Sequence, residues 1–132
     1  MAGDPGTSRP AAPGKGLFVF LKSLLGPPIP AISAREAHGR MDSAQILDVR
    51  TVPEFKAFHI PGALHVPLSE LSRRLAEIDR GREVIAVCRT GHRSQAAARL
   101  LTREGYRAAN LKGGMSAWIQ AELPIRGGRR NH

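Results

Sequence analysis

Cysteine is almost absent from this sequence: Cys88 is the only one among 132 residues. A single cysteine cannot form a disulfide within the chain, and it excludes thiolate zinc clusters and CxxC redox pairs. The fold must therefore be held together by side-chain packing rather than by cross-links. A chain without disulfides suits a reducing compartment, so we expect a cytoplasmic location.

Aromatic residues are scarce as well, at 5% of the chain, although the formal net charge is +9. A basic protein raises the question of nucleic-acid binding. However, residues 31–125 hold 14 basic and 10 acidic residues, a net charge of +4, because much of the excess lies toward the two ends. Few aromatic side chains are present to stack on bases. We therefore expect no nucleic-acid partner.

No hydrophobic run is long enough to cross a membrane. The most apolar stretch, residues 17–25, is interrupted by Lys22, whereas a transmembrane helix needs about 20 apolar residues. Residues 17–30 are predicted to form a short apolar helix and a proline-rich linker. We expect the helix to pack on the domain or on a partner; the alternatives are a membrane-surface helix and part of a signal peptide. Residues 1–16, rich in glycine, proline and alanine, are predicted to be disordered.

From Ile32 onward, short β-like runs alternate with helical patterns, which predicts an α/β domain with a parallel sheet. The predicted strands are 45–49, 64–66, 83–87 and 108–111, and the predicted helices are 33–39, 53–58, 71–78, 94–103 and 116–121. The first helix carries the spacing of a capping box, with Ser33 and Glu36 three positions apart. The domain should span residues 31–125, and residues 126–132 should form a basic flexible tail.

Cys88 directly follows the apolar run 84–87 and precedes a predicted helix, so it should lie in a strand-to-helix turn. In an open parallel sheet, ligands bind beyond the carboxyl ends of the strands, where helix amino termini favour anions. Arg89 and Arg93 flank the sulfur, and Gly91 permits a positive φ that lets N–H groups converge on one anion. Such surroundings lower the pKa of a cysteine from about 8.5 to roughly 3.5–7.5. We expect a nucleophilic thiolate; the alternative is an inert, buried cysteine.

Polar side chains also follow the predicted strand at 45–49. Asp48 and Arg50 lie at its end, with Glu54 close behind, on the same sheet edge as Cys88. Two interpretations stay open: these residues shape a pocket, or they form a structural network of ion pairs and hydrogen bonds. His59 and His65 have too few other ligand types near them in the sequence, so no metal site is expected.

Three ordered motifs resemble those of the rhodanese family. Residues 88–94, Cys-Arg-Thr-Gly-His-Arg-Ser, are similar to its active-site loop. Residues 47–63 begin with Leu-Asp-Val-Arg and end with Phe-His-Ile-Pro-Gly-Ala, which resembles the amino-terminal signature of the family. Residues 111–118, Leu-Lys-Gly-Gly-Met-Ser-Ala-Trp, resemble its carboxyl-terminal signature. The resemblance extends from about Ile32 to Pro124.

The resemblance implies a rhodanese-like, five-stranded parallel sheet with helices on both faces, and a two-step reaction. The Cys88 thiolate takes a sulfane sulfur from thiosulfate or from a persulfide donor, and the Cys88 persulfide then passes it to a thiol or to cyanide. Neither a metal nor an organic cofactor is implied. By analogy, Arg93 helps to bind the anionic donor. The persulfide would be cradled by the backbone amides of Arg89, Thr90, Gly91, His92, Arg93 and Ser94.

Loop length separates this resemblance from phosphatases that use a cysteine in a similar cradle. Their C-x5-R pattern places arginine where this chain has Ser94, and the longer loop leaves space for a phosphate group. A thiosulfate sulfurtransferase is therefore the leading hypothesis. The alternative is a sulfur-relay or interaction module, which hands the persulfide to a protein acceptor. His92 at the loop tip either steers the donor or is simply exposed.

Overall fold

A computed structural model describes residues 27–128. Its strands are β1 (Ala31–Ile32), β2 (Gln45–Asp48), β3 (Phe58–His59), β4 (Leu64–His65), β5 (Val84–Val87), β6 (Ala108–Leu111) and β7 (Arg126–Gly127). Its helices are α1 (Ala34–Gly39), α2 (Val52–Ala57), α3 (His92–Arg103) and α4 (Gly114–Gln120), with 3₁₀ helices at Leu68–Arg73 and Leu75–Glu77. None of the helices in this part of the chain is long and apolar enough to cross a membrane. The predictions for residues 1–26 and 129–132 lie outside the described residues.

Five parallel strands form the main sheet, in the order β1-β6-β5-β2-β4. The predicted α/β fold with a five-stranded parallel sheet is thus confirmed. β5 lies at the centre, and its register with β2 pairs Val87 with Asp48. The residues that follow these two strands are therefore neighbours at one sheet edge, where ligands bind in open α/β sheets. β1 has only two residues, too few for a periodic pattern to reveal it.

Helices cover both faces of the sheet, as expected. Alternate residues of a strand point to opposite faces. In β5, Ile85 and Val87 join a core that packs against α1 and α4, and this core contains the fully buried Trp118. Ala86 and the following residue, Cys88, join the other core, which includes residues of α3 and of the first 3₁₀ helix. The cysteine side chain thus lies on the α3 side of the sheet.

The α-helix predicted through Leu71 and Ile78 is wrong in type. The segment forms the two 3₁₀ helices, whose hydrogen bonds link residues three apart, as between the Arg74 N–H and the Leu71 carbonyl at 3.0 Å. Arg74 lies at the break between them, with φ −118°, and its guanidinium binds Glu70 on one side and Glu77 on the other. Leu71 and Ile78 still reach the core, which is why their spacing suggested a helical face.

The flexible tail predicted from residue 126 is wrong for its first two residues. Arg126 and Gly127 form β7, which pairs antiparallel with Phe58 and His59 of β3. Both β7 residues are exposed, so the strand is held by main-chain hydrogen bonds rather than by an apolar face. A strand of this kind leaves no hydrophobic pattern in the sequence.

Candidate active site

Cys88 is the first residue after β5, where a tight loop leads into α3. Gly91 immediately precedes the helix and has φ 113°, in the left-handed region that glycine tolerates. α3 begins at His92, two residues earlier than predicted, so Ser94 lies in its first turn. Cys88 is only 1% exposed. The loop therefore holds the sulfur at the amino terminus of a twelve-residue helix, which favours negative charge.

The Cys88 sulfur is hydrogen-bonded within its own loop. The Gly91 N–H donates to Sγ at 3.1 Å, and the Ser94 Oγ lies 3.3 Å from Sγ. Burial by itself raises the pKa of the thiol. The hydrogen bonds from the Ser94 hydroxyl and from loop N–H groups outweigh burial, so that the pKa of Cys88 lies below its ordinary value. This direction favours the nucleophilic thiolate over the inert, buried thiol.

The Ser94 hydroxyl has one hydrogen and two neighbours that can accept it. Its Oγ lies 2.5 Å from Oδ1 of Asn110, a buried residue of β6, and 3.3 Å from the Cys88 sulfur. In the neutral thiol, Ser94 donates to Asn110 and accepts the S–H; in the thiolate, rotation of the hydroxyl lets it donate to sulfur. The Asn110 amide also donates to the Gly91 carbonyl at 3.2 Å and thereby anchors the loop. Sequence reasoning missed Asn110, although a polar residue inside the apolar strand 108–111 signals a buried contact.

Replacing Ser94 with alanine is expected to raise the pKa of Cys88. The variant loses the hydroxyl that can donate to the thiolate, and a hydrogen bond to a charged group contributes about 1.5–3 kcal/mol. The rate of alkylation by iodoacetamide, measured as a function of pH, reports this pKa. Ser72→Ala changes an exposed serine of the first 3₁₀ helix and should leave the midpoint in place. An unchanged or lower midpoint in Ser94→Ala would contradict the contact with the sulfur.

The start of α4 is hydrogen-bonded to the backbone of the Cys88 loop. The Met115 N–H donates to the Cys88 carbonyl at 2.8 Å, and the Ser116 N–H donates to the Arg89 carbonyl at 3.1 Å. Gly114 has φ 57°, and a Cβ there would overlap both of these carbonyl oxygens. Only glycine lets the two segments approach so closely. The carboxyl-terminal motif, residues 111–118, therefore holds the backbone of the Cys88 loop through these two hydrogen bonds.

Asp48 and Arg50 form a buried ion pair beside the loop. They are 1% and 2% exposed, respectively. The Arg50 Nε donates to Oδ1 of Asp48 at 2.9 Å, and its Nη2 donates to Oδ2 at 2.7 Å. Nη2 also donates to the Phe58 carbonyl at 2.7 Å, and the guanidinium lies 5.5 Å from the centroid of the Phe58 ring. Asp48 thus fits the interpretation of a structural network, whereas Arg50 also lines a cavity.

Glu54 and Arg93 form a second ion pair at the loop. The Arg93 Nη1 donates to Oε1 of Glu54 at 2.7 Å, and Nη2 donates to Oε2 at 2.9 Å. Glu54 is itself positioned by a capping box with Thr51 at the start of α2. The contact with Arg93 lowers the pKa of Glu54 to about 2, and the same contact raises the pKa of Arg93. The arginine predicted to bind the donor is therefore hydrogen-bonded to a carboxylate of its own chain.

Replacing Arg93 with glutamine is expected to raise the pKa of Glu54 toward its ordinary value of 4.5. Because the pKa of Glu54 is lowered in the folded protein, the ion pair stabilises the fold above about pH 4.5, and this contribution is lost as the pH falls toward 2. NMR titration of the side-chain carboxyl carbons measures the shift. Glu77, whose pKa is lowered by Arg74, is an internal control and should not move. An unchanged pKa for Glu54 in Arg93→Gln would refute this cause.

The Cys88 loop has cavities on two sides. One, of about 350 Å³, is bordered by the charged residues Arg50, Glu54 and Arg89 and by the apolar residues Ala57, Phe58, Met115 and Ile119. The other, of about 340 Å³, is bordered by Thr90, Gly91, His92, Gln95, Asn110 and Lys112. The structure therefore brings Arg89 together with Arg50 and Glu54 but places Thr90 and His92 on the other side. His92, predicted at the loop tip, is the first residue of α3 and is exposed.

Comparisons with known proteins identify relatives of this chain by sequence. A sulfurtransferase of Allochromatium vinosum is 41% identical over 81 residues, which cover 61% of this chain and 76% of that protein. An HTH-type transcriptional regulator of Mycobacterium tuberculosis is 37% identical over 111 residues, which cover 81% of this chain and 49% of that protein. The chain thus spans about half the length of some curated relatives that it matches.

A solved structure and a family model each match more than half of the chain. The crystal structure of a rhodanese-related protein from Thermoplasma volcanium has a TM-score of 0.71 and 27% sequence identity, and the match covers 74% of this chain and 97% of that chain. The model of the rhodanese-like domain matches residues 33–121, which include the Cys88 loop, both ion pairs and the start of α4. This chain therefore belongs to the rhodanese-like family.

Proposed function

We propose that this protein is a sulfurtransferase that carries a sulfane sulfur as a persulfide on Cys88. Membership of the rhodanese-like family and similarity to a sulfurtransferase support sulfur transfer in general. The observation that carries the proposal is the loop itself, in which the Gly91 N–H and the Ser94 hydroxyl lie within hydrogen-bonding reach of Sγ. Such a cradle suits both the thiolate and the persulfide, because each carries negative charge on sulfur.

The first step is attack by the Cys88 thiolate on the outer sulfur of the donor. With thiosulfate, the S–S bond of the donor breaks, a new S–S bond to Cys88 forms, and sulfite leaves with the bonding electron pair. With an organic persulfide, the leaving group is a thiolate. In the second step, cyanide or a thiolate attacks the outer sulfur, and the Cys88 thiolate leaves. Each step replaces one nucleophile by another at the outer sulfur, and the electrons balance between donor and acceptor, so the cycle consumes no external oxidant.

The second step requires an acceptor from outside these 132 residues. Cys88 is the only cysteine in the 132 residues, so no neighbouring thiol within them can resolve the persulfide. The acceptor must instead approach the outer sulfur in the loop. Arg89 and the loop N–H groups are the groups available to bind the donor, and Arg50 and Glu54 border the adjoining cavity.

Turnover of thiosulfate with cyanide, combined with mass spectrometry of the intact protein, tests the proposal. Thiosulfate should add the mass of one sulfur atom to the protein, and cyanide should remove it and release thiocyanate. Protein whose Cys88 has first been blocked with iodoacetamide is the control and should gain no sulfur. Three donors are tested: thiosulfate, an organic persulfide and an organic thiosulfonate. If none of them gives a sulfur adduct or turnover, the proposal is wrong.

A sulfur relay to a protein acceptor is the second candidate, and an exposed apolar side chain on the cavity wall favours it. Ile119, which lines the cavity, is 44% exposed, and Val52 at the start of α2 is 46% exposed. Burial of such side chains against a partner would add apolar contact area to a complex. A relay should form the persulfide fully but discharge it only slowly to cyanide or small thiols, whereas an enzyme should complete many cycles. The number of thiocyanate molecules released per Cys88 distinguishes the two.

A further inference from the structure

The charges around the larger cavity beside the loop are mostly neutralised by partners within the chain. Arg50 borders this cavity and is paired with Asp48. Arg93 lies at the loop but is paired with Glu54. Among residues 27–128, Arg89 takes part in no ion pair. Arg89 is therefore the cavity cation that remains available to an anionic donor.

The Glu54 carboxylate borders the space that a donor would enter. Its side chain is 24% exposed, and it lines the cavity together with Arg89. Because its pKa is about 2, it stays ionised at neutral pH. Thiosulfate carries two negative charges, so a nearby carboxylate repels it about twice as strongly as it repels a monoanion at the same distance. Glu54 thus disfavours a dianion in two ways: its negative charge opposes that of the donor, and its oxygens occupy the Nη1 and Nη2 groups of Arg93.

The other wall of the cavity is apolar. Ala57 and Phe58 come from the end of α2 and from β3, and Met115 and Ile119 come from α4. A volume of about 350 Å³ lies within the range of small-molecule sites. The cavity therefore offers an organic group a surface on which to bury apolar area, which the thiosulfate ion cannot use.

We propose that Glu54 is a specificity-determining residue, through which the site favours monoanionic organic sulfane donors, R–S–S⁻ or R–SO₂–S⁻, over the thiosulfate dianion. This inference rests on the proposed sulfur transfer at Cys88. The thiolate bonds to the outer sulfur of the donor while the S–S bond of the donor breaks. The bonding electron pair leaves with R–S⁻ or R–SO₂⁻, so atoms and charge balance without a further reactant.

Thiosulfate and benzenethiosulfonate are suitable probes. Each donates a sulfane sulfur from a sulfonyl centre, but benzenethiosulfonate carries one negative charge fewer and an aromatic ring. We take the ratio of kcat/KM for the two donors, with cyanide as the common acceptor. The inherent reactivities of the donors cancel when this ratio is compared between variants.

Glu54→Gln is expected to raise kcat/KM for thiosulfate relative to benzenethiosulfonate by roughly tenfold. Glutamine can keep the capping box with Thr51, so α2 should be retained. The double variant Glu54→Gln/Arg93→Gln removes both charges of the pair and should shift the ratio back toward that of the wild type. Glu77→Gln removes a carboxylate from the exposed pair with Arg74 and is the matched control, with no expected change.

Folded Glu54→Gln that still forms the persulfide is the critical case. If its preference for thiosulfate is unchanged or lower, Glu54 does not determine donor specificity. That result would not contradict sulfur transfer at Cys88. Glu54→Ala also removes the charge and serves the same test if the glutamine variant does not fold. Failure of the wild type to form a Cys88 adduct with thiosulfate, with benzenethiosulfonate and with an organic persulfide would instead overturn the proposed function itself.

Discussion

Replacement of Cys88 by serine is expected to abolish persulfide formation and sulfur transfer, a loss of roughly 10⁴-fold or more in kcat/KM. The serine hydroxyl is protonated at neutral pH and is a weak nucleophile. The fold should survive, because a serine oxygen can accept the hydrogen bond that the Gly91 N–H now donates to Sγ at 3.1 Å. Thiocyanate release and the intact mass after thiosulfate treatment measure the loss.

A second variant, Cys88→Ala, separates the loss of the nucleophile from the loss of a hydrogen-bond acceptor. Alanine cannot accept from the Gly91 N–H, whereas serine can, so the two variants should differ in stability but not in residual activity. Thermal unfolding followed by the fluorescence of the single tryptophan, Trp118, gives the stability. A sulfur adduct in either variant would contradict the assignment of Cys88 as the carrier.

The position of the nucleophile could be predicted because it depends on local order in the chain. The apolar run 84–87 forms a strand, and a glycine-containing loop and an alanine-rich segment after Cys88 form the turn and the helix. Each element is encoded by neighbouring residues. The prediction missed only the start of the helix, by two residues. The edge of the sheet that carries Cys88 then follows from the parallel topology.

The partners of the loop residues could not be predicted, because they come from distant parts of the chain. Glu54 is 39 residues from Arg93, and the pair forms because β2 and β5 are adjacent in the sheet. Asn110 reaches Ser94 from β6, on the other side of β5. The residue types indicated charged and polar contacts. Only the strand order determines which of these residues contact each other.

Replacement of Asp48 by alanine is expected to lower the free energy of unfolding by about 3–5 kcal/mol. The guanidinium of Arg50, 2% exposed, would keep its hydrogen bond to the Phe58 carbonyl but lose its buried counter-charge. Urea unfolding monitored by Trp118 fluorescence measures the change. Glu77→Ala breaks an exposed ion pair and should change the free energy of unfolding far less. A loss for Asp48→Ala as small as that of the control would show that the buried pair contributes little.

The double variant Asp48→Leu/Arg50→Met distinguishes the two roles that the sequence leaves open for this pair. Neither side chain would then leave a buried charge unpaired, so much of the stability lost in Asp48→Ala should return. Sulfur transfer should stay below that of the wild type, because Arg50 borders the cavity and fixes the Phe58 carbonyl on its wall. If stability recovers but activity does not, the ion pair contributes to the shape and charge of the site. Recovery of both would mean that Asp48 and Arg50 serve the fold alone.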